Sequence, residues 1–425
     1  MTFTHLDDVL DEVKPLSQLF DQAGYRLFLV GGVVRDQWLD EPLDASSDID
    51  LTTNALPAEI KRIVAPFADD LWTQGEKFGT IGLRSAGRDF EITTHRAESY
   101  SSDSRKPTVS FGDDIGVDLS RRDFTVNAMA IELPDGDLVD PYGGATDLLE
   151  RRLRTPLSPD ISFTDDPLRM LRAARFAARY SLVPEDELTA SAAKLSERLR
   201  IVAIERVGVE LRRLLGLTSA RVGLGFLAET GLLAEVLSYS EPLLIEQVQL
   251  RLTEAIEVVD KLPPNWHQRL AGLAITTFGT AEGVYALCGR LRLSKENERR
   301  VVRMSQSALH VIERAATDDE TVRRWIHACQ DRADAIGLAA VMADDPNDVA
   351  SFEQAVQALL TREGATDPTF LDGDAIMALL DVTPGPVIGA AQKFLRDGYF
   401  ASGPLTPAAQ QTMLLSWWAS QPSAN

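Results

Sequence analysis

Residues 25–36 read YRLFLVGGVVRD, and residues 47–53 read SDIDLTT. The first stretch is an apolar, β-favouring run that breaks on two glycines and resumes at helical spacing. This pattern predicts a buried strand over 25–31, a Gly31-Gly32 turn and a short helix over 33–39. The second stretch alternates, which predicts a strand over 48–52. On a strand, Asp48 and Asp50 project from one face, and Ile49 and Leu51 from the other, toward a core. Two adjacent carboxylates repel each other unless a cation lies between them. Magnesium, held by one or two carboxylates together with substrate phosphates, is the usual solution. Two carboxylates at this spacing are common on protein surfaces, so the neighbouring turn gives the pair its weight. A helix N-terminus entered through small residues exposes free N–H groups and a positive dipole end, which suit phosphate. Arg35, one turn into the helix, has the geometry for a bidentate grip on an anion. Asp36 reads equally well as a local helix-stabilising charge. A phosphate cradle beside a metal-binding acid pair is expected to bind a nucleoside triphosphate.

Outward from this point, residues 6–22 read as an amphipathic helix, and 57–66 as a helix entered by Pro57. Segments 79–85, 88–96 and 107–111 read as strands. Segments 126–132 and 137–140 read as a hairpin around Pro134-Asp135-Gly136. Residues 1–150 therefore form a mixed α/β module. From 166 to about 420 strand signals almost vanish, and Leu, Ala and Arg recur at helical spacing, as in DPLRMLRAARFAARY. The expected fold class is an α/β head with a mixed sheet and helices, followed by an all-α remainder. Pro263-Pro264 and residues 364–374 are candidate boundaries, and no fixed-period repeat is present.

The net charge of −21 argues against a nucleic-acid partner if it is taken alone. Its distribution reverses part of that argument. Residues 151–221 hold 14 Lys/Arg against 9 Asp/Glu, a net of +5, whereas residues 331–425 hold 4 against 12, a net of −8. A basic middle can bind a polyanion locally. No run of apolar residues is long enough to span a membrane, and the start MTFTHLDDVLDEVK lacks the pattern of a signal peptide. Cys288 and Cys329 stand far apart in apolar surroundings, as buried thiols in a reducing cytoplasm do. A cytoplasmic protein without a membrane partner is expected.

LVGGVVRD with SDIDL resembles the head of the polymerase-β-like nucleotidyltransferases. FEITTHRAESY (90–100), RRDFTVNAMA (121–130), DPYGGATDLLERRLR (140–154), DDPLRMLRAARFAARY (165–180) and IERVGVELRRLL (204–215) narrow the resemblance. Their order and spacing are similar to those of the class II tRNA nucleotidyltransferase and bacterial poly(A) polymerase family. The resemblance is strong over 25–215 and returns in LDGDAIMALLDVTPGPVIGAA (371–391). It implies a catalytic head (1–150), a neck that recognises the nucleotide base (151–220), a tRNA-binding helical body (221–362) and a helical tail (363–425). It also implies site residues. Asp48 and Asp50 match the metal-binding acids, and Gly31, Gly32 and Arg35 the triphosphate turn. Arg122 matches a nucleotide contact, and Asp123 and Asn127 match supports for the sugar. Asp166 and Arg169 match the pair that reads the incoming base, and Arg172 and Arg175 match positions that hold the nucleotide. Residues 96–107 lie where the family carries a flexible loop, with Arg105 as its basic residue. The implied reaction is addition of CCA to the tRNA 3′ end from CTP and ATP, with Mg2+. The 3′-hydroxyl attacks the α-phosphate and pyrophosphate leaves. Addition of CC alone, of A alone, or of poly(A) stays open, because the catalytic motifs of these activities look the same.

The assignment of the base reader can be checked against chemistry. Cytosine and adenine both present an amino donor beside a ring-nitrogen acceptor; uracil and guanine present a carbonyl acceptor beside an N–H donor. A carboxylate only accepts and a guanidinium only donates. Asp166 and Arg169, at i and i+3, are expected to share a helix face. Mismatching either costs about 1–3 kcal/mol, roughly 10- to 100-fold per contact. A surface ion pair is the alternative for these two residues. For the RAARFAARY arginines the alternative is an internal ion-pair role. A third metal-binding acid is open between Glu91 and Asp89. One departure from longer family members is plain: WHQRLAGLAITTFGTAEGVYALCGRLRLS (266–294) has no adjacent His-Asp pair, so no second, hydrolytic metal site is expected there.

Overall fold

The computed structural model describes residues 6–39, 41, 48–101, 104–237, 245–314, 317–364 and 369–421, without the side chains of 97–109 and 245–250. It divides into two compact units, Met1–Gln249 and Leu250–Asn425.

The first unit begins with helix α1 (Leu6–Gln22), strand β1 (Leu27–Val30) and helix α2 (Gly32–Trp38). Strand β2 (Ile49–Thr53), helix α3 (Pro57–Val64) and strands β3 (Asp70–Trp72), β4 (Thr80–Ser85) and β5 (Arg88–Thr94) follow. Strands β6 (Arg96–Ser101) and β7 (Ser104–Phe111) form a separate antiparallel hairpin. Helix α4 (Ile115–Ser120), strands β8 (Ala130–Leu133) and β9 (Asp137–Val139) and helix α5 (Gly144–Leu149) complete the α/β part. The sheet has seven strands in the order β3-β4-β5-β2-β1-β8-β9. Only the β2–β5 pair is parallel, so the sheet is mixed as expected.

The two sheet faces carry different chemistry. On one face Leu29 stands opposite Leu51 across the β1–β2 pair. Val13, Leu16 and Phe20 of α1 and Ile60 and Val64 of α3 are buried, as are these strand residues. On the other face Phe28, Val30 and Ala130 pack with Ile115 and Leu119 of α4. The alternation on β2 is as read, with Ile49 and Leu51 buried and Asp50 exposed.

Two segments differ from the sequence expectation. Residues 125–127 form a turn of 3-10 helix, and β8 starts only at Ala130. Thr125 is drawn out of the sheet because its N–H and hydroxyl bond to the Arg154 carbonyl and the Asp147 carboxylate. Residues 96–107, which lie where the resemblance implies a flexible loop, are strand backbone where described, in β6 and β7. Arg105 lies on β7, and its side chain is outside the described residues.

Past β10 (Arg152–Leu153) the unit is helical: α6 (Pro159–Asp165), α7 (Leu168–Tyr180), α8 (Asp186–Leu195), α9 (Ile204–Leu215), α10 (Arg221–Glu229) and α11 (Leu232–Leu237). Among the described residues the only later strand is β11 (Val183–Pro184). Ser158 caps α6 by accepting from the Ile161 amide, and Pro159 occupies the first turn, an arrangement that contributes about 1 kcal/mol.

The second unit contains only helices among its described residues, α12 (Ile245–Lys261) to α21 (Pro407–Ala419). Trp266–Phe278 is buried almost all round, and its His267 Nε2 lies 2.8 Å from Asn297 Oδ1. Cys288 and Cys329 are buried free thiols, and burial pushes Cys288 up to about 12. No single described helix is long and apolar enough to cross a membrane.

Candidate nucleotide site

The site has an acidic end and an arginine-rich end, both in the first unit. At the acidic end, the β2–β5 register sets Asp50 directly beside Glu91, so both project from one sheet face. Asp48 stands at the mouth of β2. Asp50 is accessible, yet the protein around it impedes its hydration. Burial pushes its carboxyl up, Arg122 opposes, and the like charge of Asp48 adds to the rise. Glu91 rises too, through burial and then through Asp50 and Asp48. Asp89 is elsewhere engaged. Arg84 grips both its oxygens at 2.5 and 2.7 Å and holds it below the usual range. The geometry therefore distinguishes the two candidate third acids in favour of Glu91.

No group of three or more His, Cys, Asp or Glu among the described residues is placed to hold a metal ion by itself. A magnesium site completed by substrate phosphates does not need such a group, because one or two carboxylates suffice. Asp50 and Glu91, set side by side and both raised, are a carboxylate pair that an added cation would relieve.

The glycine turn faces this end. Gly31 has φ 73°, which a side chain rarely adopts. A Cβ there would stand 3.1 Å from Arg122 Nη1 and 3.8 Å from Asp50 Oδ2. Glycine thus leaves room for the Arg122 guanidinium to approach the turn and the acid together. Gly32 begins α2. Arg122 Nε has no hydrogen-bond partner among the described residues.

Arg35 is placed differently from the expectation. It is 6% exposed. Its Nε and Nη2 grip Asp36 Oδ1 at 2.9 and 2.7 Å, and its Nη1 donates to Asn127 Oδ1 at 2.5 Å. The guanidinium also lies 4.3 Å from the Tyr180 ring centre. The bidentate reach predicted for phosphate is spent inside the protein, where Arg35 ties α2 to α7.

From Asn127 a charged lattice runs on. Asn127 Nδ2 donates to Asp123 Oδ1 at 2.8 Å, and Arg172 Nε and Nη2 donate to Asp123 Oδ2 at 2.7 and 2.5 Å. Burial opposes the Asp123 charge, but Arg172 and Asn127 outweigh it and hold the carboxyl down at about 2. Glu210 of α9, 5% exposed, then accepts from Arg175 Nε at 2.6 Å and lies 3.6 Å from Arg172 and 3.8 Å from Arg213. Burial lowers Arg175, with Glu210 opposing.

A cavity of 510 Å³ opens on this lattice, lined by Arg121, Arg122, Asp123, Asp166, Arg169 and Arg172 together with α9 residues that include Arg206 and Glu210. Its size suits one small ligand. Arg175, Asn127 and Arg35 do not line it and act behind its wall. Asp166 and Arg169 both line it, but not as members of one helix. Asp166 ends α6 in an extended conformation (φ −136°, ψ 98°), and α7 starts at Leu168. Pro167 explains the break, since its ring disfavours helical backbone in the residue before it. The two side chains still converge, because the Arg169 amide bonds to the Asp166 carbonyl at 3.0 Å. Arg206 Nη2 holds Asp166 Oδ2 at 3.1 Å. Ser162 Oγ accepts from Arg169 Nη1 at 2.8 Å, and the Arg121 carbonyl accepts from Nη2. Each terminal guanidinium nitrogen has a second N–H to offer.

Sequence reasoning passed over Asp118, Arg121, Arg206, Glu210 and Arg213. Asp118 is fully buried and touches both Arg121 and Arg122. Burial works against its charge, but the two guanidiniums prevail and keep its carboxyl below the usual range. Its spacing of three and four residues from that arginine pair was the available signal.

Residues 27–154 match the poly A polymerase head domain, and residues 183–244 match a probable RNA and SrmB-binding site of polymerase A. The chain is 38% identical over 233 residues to the CCA-adding enzyme of Levilactobacillus brevis, across 55% of this chain and 57% of that one. It is 35% identical over 223 residues to that of Bacillus velezensis, across 52% and 54%. The match thus spans little more than half the length of these curated relatives. Among solved structures, the Bacillus stearothermophilus CCA-adding enzyme in complex with CTP superposes with a TM-score of 0.74 at 22% identity, covering 96% of this chain and 97% of that one. The Thermotoga maritima CCA-adding enzyme complexed with tRNA gives 0.64 at 21% identity, covering 96% and 95%.

Proposed function

We propose that this chain, which shares the fold of CCA-adding enzymes, adds CCA to the 3′ end of tRNA from CTP and ATP without a nucleic-acid template. The observation that carries the reading is one cavity lined by an acceptor-only group, Asp166, a donor-only group, Arg169, and Arg122, whose Nη1 stands at Gly31 near Asp50. Cytosine and adenine satisfy that pair; uracil and guanine do not. The head-domain match and the relatives named as CCA-adding enzymes support the same activity.

In this reading Arg122 and the Gly31-Gly32 turn receive the triphosphate. Asp123, fixed by Arg172 and Asn127, supports the sugar. Asp48 and Asp50, with Glu91 behind them, would hold magnesium, which supplies charge neutralisation at the phosphates and favours an ionised 3′-hydroxyl. The protein's own share is orientation and electrostatics: the reacting hydroxyl and α-phosphate meet in line, and pyrophosphate departs toward the arginines. The basic stretch 151–221 is the surface for the tRNA backbone. Buried, reduced thiols accord with a cytoplasmic setting.

The test is extension of a tRNA transcript ending at the discriminator base, with magnesium, CTP and ATP, resolved to single nucleotides. Three added residues that require both nucleotides support the proposal. A stop at two means CC addition, one A added only to a CC end means A addition, and a ladder with ATP alone means poly(A) synthesis. No product on any acceptor refutes a transferase.

A further inference from the structure

The second unit holds a cluster of arginines that the nucleotide site does not use. Helix α15 (Lys295–Arg314) carries Arg299, Arg300 and Arg303. Cys329, Gln330 and Asp331 form the turn between α16 (Asp319–Ala328) and α17 (Arg332–Met342). Together with Glu296 and Met304 of α15, these residues line a cavity of 370 Å³.

The three arginines differ in what holds them. Arg300 Nη2 lies 2.8 Å from Asp331 and 3.7 Å from Asp334, but its Nε is buried with no hydrogen-bond partner among the described residues. Arg299 and Arg303 are exposed, and neither has an acidic partner among the described residues. Glu298, their neighbour in sequence, is taken by Lys295 at 3.0 Å. Arg299 and Arg303 stand one turn apart on one helix face, where like charges weaken a helix. Guanidiniums gathered at a concave wall with N–H groups to spare fit a phosphate, because the planar fork donates in pairs to its oxygens.

The cavity is larger than one phosphate needs and has the size of a small-ligand pocket. Met304 and Cys329, each 1% exposed, give it an apolar part. The surroundings select against a long polyanion. Glu296 and Asp331 sit on the same wall, and residues 331–425 carry a net charge of −8. An RNA backbone would meet that repulsion along its length, whereas a single phosphate meets chiefly the arginines.

We infer that this cavity is a second ligand site, for a small phosphomonoester such as a mononucleotide. The phosphate lies among Arg299, Arg300 and Arg303, and the organic part covers Met304 and Cys329. The site belongs to the second unit and does not depend on the nucleotide reading given above.

The chain has seven methionines, so methyl-labelled methionine in the full chain gives a short spectrum, and Met304→Leu assigns the reporter in the cavity. Titration with AMP should shift the Met304 methyl saturably. Inorganic phosphate should do the same about tenfold or more weakly, since it leaves the apolar part uncovered. The double variant Arg299→Ala/Arg303→Ala exchanges two exposed residues for a better helix former. It should weaken both ligands by about tenfold or more at unchanged Tm. No saturable Met304 shift in the wild type, or an equal one in the double variant, overturns the proposal. A shift confined to Met170, next to Arg169 on α7, would mean that only the first unit holds AMP, and overturns it too. Equal affinity for AMP and inorganic phosphate overturns the assignment to a monoester. A tenfold loss of tRNA affinity in the double variant, with a flatter salt dependence and no Met304 shift by AMP, would assign the arginines to an RNA backbone and overturn the proposal.

Discussion

The two ends of the site handle charge in opposite ways. Asp48, Asp50 and Glu91 face one another with little to neutralise them but Arg122, and burial and mutual repulsion raise the pKa of two of the three. Asp123, Asp118 and Glu210 are more deeply buried, yet Asp118 and Glu210 are each met by two or more guanidiniums, and Asp123 by Arg172 together with the Asn127 amide. Burial alone would push Asp123 up as well, and it sits at about 2. Partners, rather than depth, decide the outcome. An acid cluster left under-neutralised is suited to a cation brought with the substrate. An arginine lattice already neutralised from behind is rigid, and it offers leftover N–H groups to an anion.

The contrast breaks first at the acids. Asp48→Ala or Asp50→Asn should reduce tRNA extension by about a thousandfold or more. Thermal unfolding of the metal-free Asp50→Asn protein at neutral pH should show a Tm equal to or above that of the wild type, since a repelled charge is removed. A clear loss of Tm there would mean that the acids are structural.

Asp123→Asn should do the reverse and lower stability by about 1–3 kcal/mol at pH 7, the cost of leaving Arg172 with only its longer contact to Glu210. The pH dependence has opposite signs at the two ends. A carboxyl depressed to about 2 stabilises the fold above its unfolded value, and that contribution is lost as pH falls through its folded value. The raised Asp50 and Glu91 contribute stability below about pH 4, lost as pH rises through their folded values. Denaturant melts across pH should therefore show the Asp123→Asn deficit shrinking toward acid, and magnesium protecting chiefly near neutrality.

Smaller effects sharpen the base end and the third acid. Asp166→Ala should relax the preference for CTP over UTP by about 10- to 100-fold, read as a ratio of kcat/KM values. Glu91→Gln should cut kcat by about tenfold. Asp89→Asn, which breaks only an exposed ion pair, should stay within about threefold. Parity between these last two would return the third acid to doubt.

What could be read in advance follows from range. The β1 strand, the glycine turn and the face of β2 that carries Asp48 and Asp50 were legible because period-two alternation and glycine conformation are local properties. Two matters were not legible. Asp166 leaves the helix because of Pro167, a one-residue cause that the i,i+3 pattern hides. Arg35 was read as a free anion grip because Asn127, which takes its Nη1 beyond the grip of Asp36, lies 92 residues away. Glu210 reaches Arg175 across 35 residues in the same way. A charged residue's type shows in sequence, but whether its charge is already spent depends on packing.

Titration of CTP with and without magnesium, on the wild type and on Asp50→Asn, tests the division most directly. The account predicts equal metal-free affinity in both proteins, and a gain on adding magnesium that only the wild type shows. Loss of metal-free CTP binding in Asp50→Asn, or an undiminished magnesium gain, would contradict it.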